Sequence, residues 1–455
     1  MYQDIKGFTA KLQPGTKVLF ASFPADGHFN PLTGLAMHLK SIGCDVRWYT
    51  SSYYNNKLNR MGIPHYKPVK AMDFDCTNLD VFPERENNKS QVKKLVFDII
   101  NVFLLRGPEY YTDIKALREE FEFDVMIADA AFTGIAFVRE KLQVPVIGIG
   151  IFPLNETSKE LPPPGLGMLP SKTYLGRMRH ALLRVVADKL LFGKPNRMMK
   201  EILGSYGIDT EGHNLFDLNI QKSSLFLQSG TPGFEYKRND LSSHIRFIGP
   251  LLPYSKKKEG KPWHHEKLRR FEKVVLVTQG TVEKDASKLL EPTLEAFKGT
   301  DYLVIATTGG HQTQELRSRY PQENILIEDF IPFDEVMPYA DVYVTNGGYG
   351  GTLLGIQNQL PLVVAGVHEG KNEINARVGY FKLGVNLKTE KPKPAQIRQA
   401  VEEVLDNPVY TENVMALSDE FSQYNPAILF EKYLAQVVSG KAVWQRQLPA
   451  ELVEA

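Results

Sequence analysis

Short apolar runs alternate with segments of helical spacing along most of this 455-residue chain. Each run is bounded by Gly, Pro or polar turn formers, and buried parallel strands have this continuously apolar character. The alternation therefore predicts an α/β fold made of strand, helix, strand units. In the first half the predicted strands are 18–22, 45–50, 124–128 and 144–149, with a helix over 32–42.

The same pattern restarts after residue 250, with a second set of strands. Turn formers and charged residues collect at 230–263, including a lysine-rich run at 256–261 that we interpret as solvated, although it could also bind an anion. Open α/β sheets bind ligands at the carboxyl ends of their strands, so two such domains predict a site in the cleft between them. The predicted strands of the second half are 273–278, 302–307, 325–328, 342–345 and 362–365. The predicted organisation is an N-terminal domain over 1–240, a linker over 241–270, a C-terminal domain over 271–424 and a separate segment over 425–455.

Charge and cysteine content narrow the possible functions. The 54 Lys and Arg residues against 53 Asp and Glu give a net charge of +1, so no overall field attracts nucleic acid. Cys44 and Cys76 are too few for a disulfide framework and are typical of a reducing compartment. The sequence has neither a signal-peptide pattern nor an uncharged apolar run of about 18 residues. We expect a cytoplasmic protein, soluble or at most peripheral to a membrane, and a monomer or weak oligomer.

A basic helical stretch at 172–203 interrupts the first half. It places apolar residues such as Met178 and Leu182 near Arg177 and Arg179. We predict core packing with a solvated basic face, and a helix on a membrane surface is the alternative.

Two polar residues are predicted to lie at the carboxyl ends of strands in the first half. His28 follows the first strand, and an imidazole there can act as a general base near neutral pH. Asp129 ends the strand at 124–128 and could orient the imidazole through its other nitrogen. A histidine that only caps the following helix is the alternative.

A glycine-rich turn, 346–352, follows the strand at 342–345 in the second half. Backbone N–H groups of such a turn can approach a phosphate at the positive end of a helix. Similar turns follow the strands at 273–278 and 302–307, which suggests a shared anion. The lysine of a P-loop and a GxGxxG after the first strand are both absent, so neither ATP hydrolysis nor a dinucleotide redox cofactor is favoured.

Metal binding is not predicted. The Asp73-Phe74-Asp75 motif is short enough to occur by chance and does not follow a predicted strand. His264 and His265 lack companion ligands at zinc spacing.

Several motifs, taken in order, resemble a known family. They are Gly27-His28-Phe29-Asn30-Pro31, Ala128-Asp129, Phe330-Ile331-Pro332 and the turn at 345–352. The chain resembles the family 1 nucleotide-sugar glycosyltransferases of the GT-B fold over nearly its whole length. More narrowly, it is similar to the bacterial flavonoid glycosyltransferases of the GtfC type. The resemblance implies two Rossmann-like domains with parallel sheets facing a cleft, and a segment 425–455 that crosses back to the first domain.

The resemblance also implies a reaction. His28 would deprotonate an acceptor hydroxyl with Asp129 as its partner, in a direct displacement that inverts the anomeric carbon without a metal. The nucleotide sugar is a co-substrate, and no cofactor is expected.

The implied donor site lies in the second domain. Phe330 would stack on the nucleobase, Ile331 would bond it through the backbone, and Thr281 would contribute a hydroxyl to the diphosphate. Asn346 stands where the family usually has a phosphate-binding histidine, so one cationic contact is missing. The other implied donor residues are Gly280, Gly347, Gly348, Gly350, Gly351, Thr352, Glu369, Lys371 and Asn372.

Departures from the family pattern bear on the donor. Leu354 stands where plant members have a glutamate that binds both ribose hydroxyls, which favours deoxyribose and hence dTDP over UDP. The stretch Glu369-Gly370-Lys371-Asn372 replaces the Asp-Gln pair that commonly binds glucose hydroxyls, and which sugar it selects stays open.

The predicted function is transfer of L-rhamnose from dTDP-β-L-rhamnose to a flavonoid or similar phenol. Phe132, Phe152 and Leu154 are candidate acceptor-binding residues by position, and they could equally be core. The alternatives are a UDP-glucose-dependent transferase on a macrolide, terpenoid or phenolic acceptor, a catalytically silent nucleotide-sugar-binding module, and an epimerase or hydrolase of the same fold.

Overall fold

The computed structural model describes residues 11–76, 79, 81–88, 90–254, 263–280 and 283–440. Two all-parallel sheets organise these residues, one of seven strands and one of six. The first contains β1 (Lys17–Ala21), β2 (Asp45–Tyr49), β3 (His65–Tyr66), β4 (Val125–Asp129), β5 (Val146–Gly150), β6 (Leu225–Ser229) and β7 (Ile245–Gly249). The second contains β8 (Lys273–Thr278), β9 (Tyr302–Thr307), β10 (Ile325–Glu328), β11 (Val342–Thr345), β12 (Leu362–Val364) and β13 (Gly384–Asn386).

Helices cover both faces of each sheet, which is why the strands between them are continuously apolar. In the first half they are α1 (Asp26–Ser41), α2 (Asn55–Met61), α3 (Gln91–Asp98), α4 (Arg106–Glu120), α5 (Ile135–Lys141), α6 (Tyr174–Val186), α7 (Gly193–Ser205) and α8 (Leu218–Lys222). In the second half they are α9 (Leu290–Phe297), α10 (Thr313–Arg319), α11 (Phe333–Val336), α12 (Tyr349–Gln357), α13 (Lys371–Tyr380), α14 (Pro394–Asp406), α15 (Pro408–Ser422) and α16 (Pro426–Val438).

The strand order of each sheet reverses at one point. The first sheet runs β3-β2-β1-β4-β5-β6-β7 and the second runs β10-β9-β8-β11-β12-β13. The reversal lies between β1 and β4 in the first sheet and between β8 and β11 in the second. The chain connections on the two sides of each reversal lead in opposite directions, which leaves a crevice at the carboxyl ends of those strands. His28 and Asp129 flank the first switch point, and the glycine turn after β11 flanks the second.

The boundary between the halves differs from the predicted linker. β7 lies inside 241–270 but pairs in parallel with β6, so the first sheet extends to Gly249 and the linker begins later than predicted. Sequence reasoning missed β7 because its polar flanks obscure a run of five residues. Leu251 packs in the first core and Trp263 against the second. The lysine-rich run falls within 255–262, outside the described residues.

The last helix packs on the first sheet. α15 contributes Leu417 and Phe421 to the core of the second half. α16 then places Phe430 and Leu434 in the core around β1, and Glu431 accepts a hydrogen bond from His38 of α1 at 2.9 Å. Residues 441–455 of the predicted terminal segment lie outside the described residues.

The predicted core packing of the basic stretch 172–203 is wrong for its first part. Most apolar side chains of α6 are exposed, whereas His180 on its opposite face is buried. The spacing of the apolar residues correctly predicted a helix here. Spacing alone does not show which face of a helix packs against the rest of the domain. No helix among the described residues is long and apolar enough to cross a membrane.

Candidate active site

His28 and Asp129 meet at the switch point of the first sheet. β1 ends at Ala21, the chain turns through Phe23, and His28 falls in the first turn of α1. The Nδ1 atom of His28 lies 2.7 Å from Oδ1 of Asp129, the last residue of β4. The structure therefore brings together the two residues predicted as base and orienting carboxylate.

Backbone groups hold the Asp129 carboxylate in place. It is completely buried, and it accepts N–H groups from Phe23 at 2.6 Å and from Ala131 at 2.9 Å. A buried carboxylate with donors on both oxygens is compensated for its lost water. Because those two backbone donors identify Asp129 as the acceptor, the imidazole donates through Nδ1–H.

That assignment leaves the second ring nitrogen of His28 as the basic atom. Nε2 has no partner among the described residues, and about 20% of the His28 side chain is exposed. Asp129 thus holds the ring through Nδ1, and Nε2 is free to contact a substrate. This is the arrangement a general base needs to take a proton from a hydroxyl group.

Two aromatic side chains lie beside the His28 ring. Phe23 meets the imidazole edge-on with ring centroids 5.2 Å apart, and Phe152 does so at 6.4 Å. Phe103 stacks on Phe23 at 4.3 Å, and Phe74 packs against it edge-on. The partly exposed Phe103 was missed as a candidate acceptor contact, whereas Phe23 and Phe74 are buried and pack in the core behind it. Phe23 was recoverable as a neighbour of the base from its position between β1 and His28.

The three predicted acceptor residues lie in different environments. Phe152 lies beside His28. Phe132 does not line the crevice, because it is completely buried and stacks on Tyr110 in the core beneath β4. Leu154 packs against the small core around Phe226, and its backbone N–H is bound by Glu235. Strand-end position predicted all three residues, but side-chain direction in the loops decides which of them reach the site.

The Asp73-Phe74-Asp75 motif, which was not predicted to bind a metal, has a structural role through Asp73. Asp73 accepts hydrogen bonds from the Ser51 hydroxyl at 2.7 Å and from the Ser52 N–H, closing the loop after β2. His265 accepts from the N–H of Lys267. The described residues contain no group of three potential metal ligands.

The glycine turn after β11 opens α12 and bridges two strands of the second sheet. The Asn346 amide donates to the backbone oxygen of Gln279, which follows β8. Gly347 has a φ of +82°, and a Cβ there would collide with the Asn375 amide. Gly348 is the N-cap of α12. Gly350 and Gly351 keep the first helical turn free of bulky side chains, and its N–H groups lack intrahelical acceptors. The turn thus has the free backbone N–H groups and the helix N-terminus that an anion site requires, and its role stays a prediction.

Other predicted donor residues have different environments. Gly280 has a φ of +79° and adjoins the Asn346 side chain. Phe330 is 73% exposed, with its ring next to Gly310, whereas the Ile331 side chain is buried in the core. Thr352 is completely buried, so its side chain is not available to the donor, and its N–H bonds Gly348 instead. Thr281 lies outside the described residues.

The 369–372 stretch starts α13 beside the glycine turn. Lys371 pairs with the exposed Glu369 at 2.6 Å, and its side chain passes over Gly366 near the Asn346 carbonyl. Asn372 is occupied, because its amide donates to the backbone oxygen of Gly165 in the first half at 2.9 Å. Asn375, one turn further on, was missed. It donates to the Gly366 carbonyl at 2.9 Å and supports Gly347, and helical spacing from Lys371 could have identified it.

A buried ion pair joins the two halves next to this helix. Arg377 contacts Glu235 at 2.8 Å and Glu373 at 3.0 Å. Burial disfavours the charged guanidinium, but the neighbouring carboxylates outweigh it and raise the pKa of Arg377. The Tyr349 hydroxyl at the start of α12 donates to the Ser229 carbonyl at 2.7 Å. These contacts fix the glycine turn relative to the carboxyl end of β6.

Comparisons with known proteins agree with this geometry. The family described as "Erythromycin biosynthesis protein CIII-like, C-terminal domain" matches residues 291–434. The chain is 34% identical over 409 residues to 4'-demethylrebeccamycin synthase from Lentzea aerocolonigenes, covering 90% of this chain and 96% of that protein. It is 28% identical to UDP-glucosyltransferase 1 from Beauveria bassiana, covering 89% and 91%. The crystal structure of the calicheamicin glycosyltransferase CalG4 superposes with a TM-score of 0.73 at 18% identity, covering 94% of this chain and 99% of that one.

The two parallel sheets with paired switch points define the GT-B class of glycosyltransferase. The chain belongs to family 1 of these nucleotide-sugar glycosyltransferases. The narrower resemblance to flavonoid transferases of the GtfC type stays a prediction.

Asp129→Asn tests the positioning of the imidazole. The amide would place an N–H where Asp129 now accepts, forcing the proton of His28 onto Nε2, and we expect kcat to fall by about 10²- to 10⁴-fold. The matched control is Asp124→Asn at the other end of β4, where the carboxylate only accepts the Lys17 N–H. Steady-state kinetics with circular dichroism should show a loss only in the first variant. Equal kcat in both would contradict the assigned role of Asp129.

Proposed function

We propose that this enzyme transfers a sugar from a nucleotide donor to an acceptor hydroxyl with inversion. The observation that carries the proposal is the open Nε2 of His28, whose Nδ1 is held by the buried Asp129. Nε2 takes the proton as the acceptor oxygen forms its bond to the anomeric carbon. The bond from that carbon to the diphosphate oxygen breaks, and the diphosphate leaves with the electron pair.

The glycine turn stabilises the leaving diphosphate in this proposal. The free N–H groups at the start of α12 supply donors and the positive end of the helix dipole. Asn346 contributes no charge, so we assign the cationic contact to Lys371, whose side chain passes near the Asn346 carbonyl. We propose transfer without a metal, because these groups can neutralise the charge that develops on the diphosphate.

The proposed acceptor is a phenolic hydroxyl of an aromatic compound such as a flavonoid. The partly exposed Phe152 lies beside the base, and the partly exposed Phe103 stacks on the buried Phe23 that also adjoins it. Aromatic rings favour stacked or edge-on contacts with one another, which suits a planar acceptor. A phenol has a pKa of about 10, so its deprotonation by an imidazole is easier than that of an aliphatic alcohol.

The proposed donor is dTDP-β-L-rhamnose. Leu354 on α12 is half-buried against the second core, so its position offers no acceptor for ribose hydroxyls. A deoxyribose has one hydroxyl fewer than ribose, so it loses fewer hydrogen bonds at a site without this acceptor. The second candidate, UDP-glucose, is favoured by the name of the Beauveria relative, a UDP-glucosyltransferase. A silent binding module fits less well, since it would not need the buried Asp129 beside His28.

Replacing the base separates chemistry from donor binding. We expect His28→Ala to lower kcat by at least about 10²-fold while the donor dissociation constant changes little, because His28 lies in the first half. His38→Ala is the matched control on the same helix, where the imidazole bonds Glu431 instead. Kinetics and calorimetric titration of the donor measure the two effects. Retained turnover in His28→Ala would refute the base assignment.

Donor competition tests the role of Leu354. With quercetin as acceptor and both donors present, we expect the rhamnoside to predominate in the mass spectrum. Leu354→Glu should shift the ratio toward UDP-glucose by about tenfold, since a carboxylate gains charged hydrogen bonds to ribose. Leu354→Met, which stays apolar, should not shift it. A glucoside as the main product of the unmodified enzyme would establish the second candidate.

A further inference from the structure

The outward face of α6 carries an apolar stripe, defined here by Tyr174, Leu175, Met178, Leu182, Val185 and Val186. These side chains are exposed, Leu175 by 76% and Leu182 by 65%. At 3.6 residues per turn they fall within an arc of about 120°. Leu190, just after the helix, and Leu169, just before it, extend the exposed apolar surface. Contiguous exposed apolar surface of this kind marks an interaction site.

The helix is anchored by its opposite face, so the stripe has a fixed direction. His180 and Ala187 are buried against the first half. The Arg184 guanidinium donates to the Leu161 carbonyl at 2.5 Å and to the Lys159 carbonyl at 2.9 Å. The Thr173 hydroxyl caps the first turn by accepting the Gly176 N–H. The stripe is therefore a built surface and not the result of a frayed helix.

Positive charges border the stripe. Residues 171–194 contain six Lys and Arg residues and a single acidic residue, Asp188, although the whole chain has a net charge of only +1. Arg179 lies along one edge of the stripe and Arg177 along the other, Lys172 precedes the helix, and all three are exposed. Their long side chains can reach past the apolar residues toward phosphate groups.

We propose that the apolar stripe docks on an anionic phospholipid surface, with α6 lying in the plane of the bilayer interface. A helix of large amphipathicity with a basic polar face binds such surfaces by burying apolar side chains between the headgroups. A second copy of the chain fits less well, because a two-fold contact through the stripe would bring the arginines of both copies together. The proposal concerns attachment and is independent of the donor and acceptor assignments.

Vesicle sedimentation of the full chain tests the proposal. We expect pelleting with vesicles of phosphatidylcholine and phosphatidylserine, weakened by salt, and little with phosphatidylcholine alone. Leu182→Asp should abolish pelleting. Arg177→Gln and Arg179→Gln should each weaken it by about fivefold. Val69→Asp is the matched control, since Val69 is 77% exposed but lies far along the chain from α6. Sugar transfer without vesicles should be the same in all four variants.

Three outcomes would overturn the proposal. The first is an absence of pelleting with the anionic vesicles. The second is pelleting that Leu182→Asp leaves unchanged. The third is a dimer in analytical ultracentrifugation that Leu182→Asp dissociates, which would assign the stripe to a second copy of the chain.

Discussion

The hydrogen-bonded carboxylate of Asp129 is the contact on which the proposed chemistry depends. It ends β4, binds the loop after β1 through the Phe23 N–H and holds Nδ1 of His28. One buried charge thus fixes the loop conformation, the ring orientation and the tautomer together. Removing it would leave the His28 ring without an orienting partner, as well as two backbone donors without an acceptor.

In the second half, side-chain amides position the backbone of the glycine turn. Asn346 ties the turn after β11 to the end of β8, and Asn375 supports Gly347 from the next helix. The inter-half contacts of Arg377 and Tyr349 then set this turn relative to the first sheet. The proposed base and the proposed leaving-group site are therefore held by separate sheets, and a buried ion pair that the sequence pattern does not show joins the two halves.

Much of this arrangement follows from the sequence because strand ends determine position. The apolar runs predicted the positions of β1, β4, β8 and β11. Because parallel strands end at the same edge of a sheet, they also placed His28 and Asp129 at one edge, where the structure shows them in contact. Side-chain direction in loops depends on tertiary packing, so position alone left open whether Phe132 is an acceptor residue or core, and the structure places it in the core. The prediction that the apolar side of α6 packs in the core was wrong for a related reason. A period of 3.6 residues shows that apolar residues share one face of a helix, but not whether the protein covers that face.

The tautomer of His28 is the most direct test of its proposed role as the general base. Nitrogen-15 NMR of histidine-labelled enzyme, with His28 assigned by comparison with His28→Ala, reports which ring nitrogen carries the proton when the ring is neutral. If His28 acts as the base through Nε2, the neutral ring carries its proton on Nδ1 and leaves Nε2 unprotonated. A proton on Nε2 would contradict this role, because the only lone pair would then be on Nδ1, which faces Asp129, and Nε2 could not accept a proton from the acceptor hydroxyl.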